Sequence, residues 1–115
     1  MRAMSFFLTT QQVRDRTKDV TRRLRWADLK PGDRLQAVVK CMGLKKGEKR
    51  QLLAVIEIVS VTSEPLAAIA DYPNDCAREG FPELSPDEFV EMFCRSQRCR
   101  PETIIRRIEF RQIQT

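Results

Sequence analysis

Residues 52–61 read "LLAVIEIVSV", and no other stretch constrains the fold as much. Glu57 and Ser60 are its only polar members, and five of the ten residues are β-branched. Branching at Cβ disfavours a helix and packs well on a pleated surface. The run falls far short of the ~18 apolar residues that a membrane-crossing helix needs, here as elsewhere in the chain. It reads as a central strand covered on both faces. Just before it, "RLQAVVKCM" alternates: Leu35, Ala37, Val39 and Cys41 against Arg34, Gln36 and Lys40. That is a strand with one buried face. The basic "GLKKGEKRQ" between the two breaks the pattern and reads as a hairpin loop with Gly47 near its tip. "LKPGDRL" ahead of the pair is a turn, because proline presets one backbone angle and glycine permits the next.

The remaining segments fit around this hairpin. "MSFFLT" reads as a first strand, and "TTQQVRDRT" as a short helix or helical turn capped by Thr9 or Thr10. "SEPLAAIADY" predicts a short helix with Ser63 as cap and Pro65 in its first turn. "LSPDEFVEMF" carries a full helix start: Ser85 as N-cap, Pro86 first, Glu88 third to close a capping box, and Leu84 to staple onto Phe89. Phe89, Met92 and Phe93 then share one helical face. In "TIIRRIEFRQI", Ile104, Ile108 and Phe110 point one way, and Ile105, Arg107, Glu109 and Arg111 form a largely charged outer face. The order is strand, helix, strand, strand, helices, strand. A sheet this short hides its edges best by curling. The expected fold is α+β: a small, mostly antiparallel barrel with two or three short helices over its openings. With 115 residues it makes one domain, 1–115.

Charge and side-chain inventory narrow the chemistry. Lys and Arg number 21 against 16 Asp and Glu, a net +5, so a polyanion such as nucleic acid, or a nucleotide, is the expected partner. No histidine is present. That removes the commonest general base and the commonest metal ligand, and excludes a Ser-His-Asp or Cys-His site within this chain. No metal or cofactor is expected. Cys41, Cys76, Cys94 and Cys99 form no C-x-x-C pair and read as free thiols, with a Cys94–Cys99 bridge as the alternative. "MRAMSFFLTTQQ" has no small-residue cleavage site and does not read as a signal peptide. No membrane partner is expected.

Catalysis without histidine falls to Lys, Thr, Ser, Glu, Asp, Cys or Tyr. In "RTKDVTRRLRW", Lys18 and Thr21 are three apart. A helical turn puts them on one face, whereas a strand puts them on opposite faces. A buried lysine with a lowered pKa beside a threonine hydroxyl can activate it. The alternative is a surface lysine and a threonine that begins a strand. In "CAREGFPELS", Glu79 beside Gly80 can reach into a pocket, or Arg78 and Glu79 are solvated loop charges, and Phe81 reads as a core plug. Lys45, Lys46, Lys49 and Arg50, with Arg107 and Arg111, are candidates for phosphate contacts. Trp26, the only tryptophan, is placed either to stack on a base or to lid the barrel.

"TKDVTRRLRW", "LKPGDRL", "EGF" and the closing "IEF", in that order along nearly the whole chain, resemble the ASCH domain family, a branch of the PUA-like fold. Lys18, Thr21 and Arg23 match its K-x-x-T-x-R motif, and Glu79-Gly80-Phe81 match the later E-G-F. Arg16 stands where the family usually has glycine. The chain also looks like small ASCH proteins of phages and prophages, which share the "KKGEK" hairpin and the "REGFP…FVEMFC" segment. The resemblance implies a PUA-like pseudo-barrel in a bacterial or phage-infected cell's cytoplasm, with a cleft lined by Lys18, Thr21, Arg23 and Glu79 that binds RNA or a modified nucleoside. It also implies an alternative: some small bacterial members are amidohydrolases that deacetylate N4-acetylcytidine with a Lys/Thr/Glu set, here Lys18, Thr21 and Glu79. A ribonuclease is a weaker possibility within the family, and a phage-borne protein-interaction module is the third reading.

Overall fold

Five strands form one sheet in the computed structural model, which describes residues 1–113. In chain order they are β1 (Ala3–Ser5), β2 (Val20–Arg23), β3 (Arg34–Val38), β4 (Leu52–Pro65) and β5 (Ile104–Ile113). The helices are α1 (Thr10–Arg14), α2 (Asp75–Arg78) and α3 (Pro86–Gln97), with 3-10 turns at Phe7–Thr9 and Leu66–Asp71. Spatial order is β1-β3-β4-β5-β2, with only the β1–β3 pair parallel. The α+β class and the mostly antiparallel sheet are as expected. The extra strand, β2, lies in the basic stretch, where no apolar alternation marks it.

The two edge strands meet. Arg23 of β2 donates from Nη2 to the Ser5 carbonyl of β1 at 2.7 Å, and its guanidinium lies over the Phe6 ring at 4.8 Å. The sheet therefore curls into a pseudo-barrel whose seam is closed by a side chain. Inside it, Met4, Phe6, Leu35, Ala37, Ile56, Ile58, Ile108 and Phe110 form the main core, with Val13 of α1 plugged in from one side. A second cluster lies on the outer face of β5, where Ile105 packs under Leu66, Ile69, Phe89 and Phe93. β5 is thus the strand covered on both faces.

Several expectations change. β4 packs Ile56 and Ile58 inward but leaves Leu52 and Val59 exposed, because the helical layer covers β5 and not β4. β4 also runs on through Ser63 to Pro65, so the following 3-10 helix starts after Pro65 with no side-chain cap. A register shift between Ala37 and Val38 turns Val38 inward where Val39 was expected. Ile104 is exposed and Ile105 buried, the reverse of the alternation read from the sequence. α3 begins as predicted: the Ser85 hydroxyl accepts from the Glu88 amide at 3.2 Å, and Glu88 accepts from the Ser85 amide at 2.9 Å. No helix among the described residues is long and apolar enough to cross a membrane.

Arg16 adopts φ +61, the left-handed region that favours glycine, in the turn between α1 and β2. The glycine of the resembled motif would sit there without strain. Arg16→Gly is expected to hold stability within about 1 kcal/mol of wild type or improve it. Arg16→Val, which crowds the same φ with a branched Cβ, is expected to cost about 1–2 kcal/mol more. Urea unfolding of both variants checks this; equal stabilities would show that the turn carries no such strain.

Candidate active site

Lys18 and Thr21 share no helix. α1 ends at Arg14, the chain turns through Arg16, and the Thr17 and Lys18 amides both donate to the Gln12 carbonyl. Asp19 is tied at its amide to the Arg78 carbonyl, and β2 begins at Val20. The turn thereby sets Lys18 just ahead of the strand that carries Thr21 and Arg23.

Glu79 arrives from the other side. It follows α2, and Gly80 after it has φ +102. A Cβ on Gly80 would lie 2.9 Å from Cγ of Gln12, and the Gln12 amide donates to the Gly80 carbonyl at 3.2 Å. Only glycine lets the α2 loop press this closely on α1, and that approach brings Glu79 to Lys18. Lys18 Nζ donates to Glu79 Oε1 at 2.8 Å and to the Glu79 carbonyl at 2.7 Å. Both side chains are almost fully buried.

Lys18, Thr21, Arg23 and Glu79 all line one cavity of about 260 Å³. That lies just under the ~300 Å³ lower end of small-molecule sites. Phe81, Phe89, Met92 and Phe93 make its apolar wall, and Phe7 and Leu8, 63% and 69% exposed, stand among its lining residues as an open lip. Burial pushes the Lys18 ammonium below its ordinary range; Glu79 pulls the other way, and Arg23 and Arg22 add to the lowering. Burial likewise brings Arg23 down to about 10. Arg23 Nε donates to Thr21 Oγ1 at 3.0 Å, leaving the Thr21 proton free to be given away. The site thus pairs a hydroxyl, a lysine of weakened basicity and a carboxylate, within reach of an arginine.

Sequence reasoning missed the layer beneath. Arg22 and Arg107 sit directly opposite each other on β2 and β5. Like charges in that position repel. Asp75, the first residue of α2, lies between them: Oδ2 accepts from Arg22 Nη2 at 2.5 Å and from Arg107 Nε at 2.7 Å, and Oδ1 from Arg107 Nη2 at 3.0 Å. Arg22 Nη1 also donates to Glu79 Oε2 at 3.0 Å. Burial works to raise the Asp75 carboxyl, but the bonds from Arg107 and Arg22 hold it below the usual carboxylate range. Those with Asp75 and Glu109 raise Arg107 against its burial. Nothing in the sequence flags Asp75 or Arg22, since each stands among other charges.

The other expected residues fall elsewhere. Arg107, placed by alternation on a wet charged face, is buried in the Asp75 pair, because α2 and the second cluster cover that face of β5. Trp26 packs against the main core with Arg2 over its ring at 4.4 Å, outside the cavity lining. Lys45, Lys46 and Lys49 are exposed on the loop between β3 and β4. That loop leaves the sheet beside Ser5, whose hydroxyl donates to the Val39 carbonyl at 3.1 Å, and Ser5 itself lines the cavity. Among the described residues, no three Cys, Asp or Glu side chains gather as a metal site. All four cysteines are free, with Cys94 and Cys99 sulfurs 4.0 Å apart.

No family model matches the chain, and no curated protein matches it either. The fold has a solved counterpart. The crystal structure of protein EF3133 from Enterococcus faecalis V583, described by the family-model name DUF984, superposes with a TM-score of 0.62. The likeness covers 98% of this chain and 76% of that one at 17% sequence identity, which speaks for the fold alone.

Asp75 is the test of the buried layer. Asp75→Asn removes the carboxylate that Arg22 and Arg107 share, leaving Arg22 only Glu79 and Arg107 only Glu109, and is expected to cost about 3–5 kcal/mol at neutral pH, read from the urea midpoint. The depressed folded-state pKa fixes the sign with pH. Asp75 contributes its full share above its unfolded pKa, about 3.9, and loses it as pH falls through the lower folded value. The gap between wild type and Asp75→Asn therefore narrows in acid; a gap that stays constant there would mean the carboxylate charge does not hold the arginines.

Proposed function

We propose that this chain is an ASCH-type domain whose cavity receives a modified nucleoside, free or within RNA. The carrying observation is that Lys18, Thr21, Arg23 and Glu79, separated by up to 61 residues in sequence, line one cavity of about 260 Å³. Their donors and acceptors suit the polar edge of a base, and the apolar wall from α3 suits its ring face. The exposed Phe7 offers a face on which an adjacent base can stack. The lysine loop, rooted beside the cavity, favours a phosphate-bearing partner over a bare nucleoside.

A second reading, hydrolysis of an N4-acylated cytidine, is favoured by the Lys18–Thr21–Arg23 arrangement. In it, Thr21 Oγ1 attacks the acyl carbon and its proton passes to Lys18, with the Arg23 Nε–H stabilising the oxygen as charge develops. The bond to the exocyclic nitrogen breaks, and that nitrogen takes up a proton by way of Lys18 or Glu79. Water then cleaves the threonine ester. The net change is amide plus water to amine plus carboxylic acid.

A panel of N4-acylated cytidines, as nucleosides and in short RNA, separates the two. Binding is read by calorimetry and turnover by chromatography. Release of cytidine and acid, reduced about 10²–10⁴-fold in Lys18→Ala, is the expected result for the enzyme. Saturable binding without turnover leaves the binding reading alone. Neither binding nor turnover with any member would overturn both.

A further inference from the structure

Arg22 lies outside the K-x-x-T-x-R pattern, yet its side chain is 0% exposed. Its Nη1 and Nη2 hold Glu79 and Asp75, while its Nε–H is buried with no hydrogen-bond partner. If Lys18 carried its charge, the ions around Arg22 would balance without it; with Lys18 a free amine, Arg22 is the cation that balances Glu79. Glu79 is already paired with Lys18, and Asp75 is already gripped twice by Arg107. Arg22 adds a further buried guanidinium and, at Nε, an orphaned donor. Each of these costs stability. Through Asp75, Arg22 ties β2 to α2 and β5, but its second bond, to Glu79, belongs to the cavity.

What Arg22 does can be read from the two oxygens of Glu79. Oε1 accepts from Lys18 and Oε2 from Arg22. Burial is the main force lowering Lys18, and Glu79 opposes it; without Arg22, Lys18 would have that carboxylate to itself and the opposing pull would be stronger. With Arg22, the carboxylate is shared, and a second positive charge stands behind it. The groups facing Lys18 are Glu79 from the loop after α2, and Arg22 and Arg23 from β2. The residues of α3 and of the first turn that line the cavity carry no charge. We propose that Arg22 is a positioning residue for Lys18, sharing Glu79 so that Lys18 stands at the cavity as a free amine able to accept a proton. The inference gives its purpose to the reading of the cavity above and rests on it in that sense, but its test needs no substrate.

The test is the titration of Lys18 itself. The chain has six lysines, so ¹³Cε-labelled lysine gives a short spectrum in which Lys18→Arg identifies the Lys18 signal. In the wild type, Lys18 is expected to titrate below the other five. Arg22→Met, neutral and of similar length, is expected to raise its midpoint by at least about one pH unit. Arg22→Gln, also neutral, is the second variant should the first fail to fold, and the amide ¹H–¹⁵N spectrum confirms the fold of whichever is used. A purely structural Arg22 would leave the midpoint unmoved. An unmoved midpoint in a folded variant, or a wild-type Lys18 that titrates with the other lysines, would overturn the proposal. Where an acylated cytidine is turned over, the acid limb of kcat/KM is expected to move up with that midpoint. Absence of turnover would sink the enzymatic reading and leave the titration result to stand alone.

Discussion

Everything near the cavity hangs on a buried chain of alternating charges, Lys18–Glu79–Arg22–Asp75–Arg107. It links the turn after α1, the loop after α2, and strands β2 and β5. Charges removed from water are costly unless each is paired and hydrogen-bonded. Here the pairing can be met in only one arrangement, since each carboxylate must face two donor side chains that come from different elements. The chain therefore acts as a register device. β2 is a four-residue strand with little apolar sequence of its own, and its place against β5 is fixed by Asp75 lying between two facing arginines.

The apolar layers set where this chain of charges can lie. The main core fills the barrel, and the second cluster roofs the outer face of β5. α2 enters beside that roof, so Asp75 at its start is driven into a place no water reaches. Gly80 then turns the chain back over Gln12. Three of the cavity's polar groups are consequently presented by a turn, a short strand and a loop, each held by a different kind of contact: backbone bonds for Lys18, the sheet ladder for Thr21, and close approach at a glycine for Glu79.

Much of this was legible in the sequence, for physical reasons that differ by residue. Ser85, Pro86 and Glu88 announce α3 because a capping box is a local device that needs nothing from the rest of the chain. Glu79 and Gly80 stood out because a carboxylate beside a glycine in a loop can reach into a pocket, and because they match the E-G-F of the resembled family. What stayed hidden depends on the second layer. Alternation in β5 shows two faces but not which of them a helix covers, so Arg107 read as solvated when it is buried. Arg22 and Asp75 looked like ordinary surface charges because a charge buried by its partners has the same local sequence as one dissolved in water. Trp26, conspicuous as a lone aromatic, turned out to serve the barrel wall under Arg2.

The clasp between Arg23 and Ser5 has a further consequence. Elsewhere the sheet is zipped by ladders of backbone bonds, but across this seam Arg23 lays one guanidinium on one carbonyl and one ring. A barrel of this size closed by a full ladder would be filled by its own side chains. Left unzipped, it keeps a space at the seam, bordered by the arginine that closes the barrel and by Ser5, its partner. The join between the edge strands and the wall of the cavity therefore share one side chain, and a change at Arg23 alters both together.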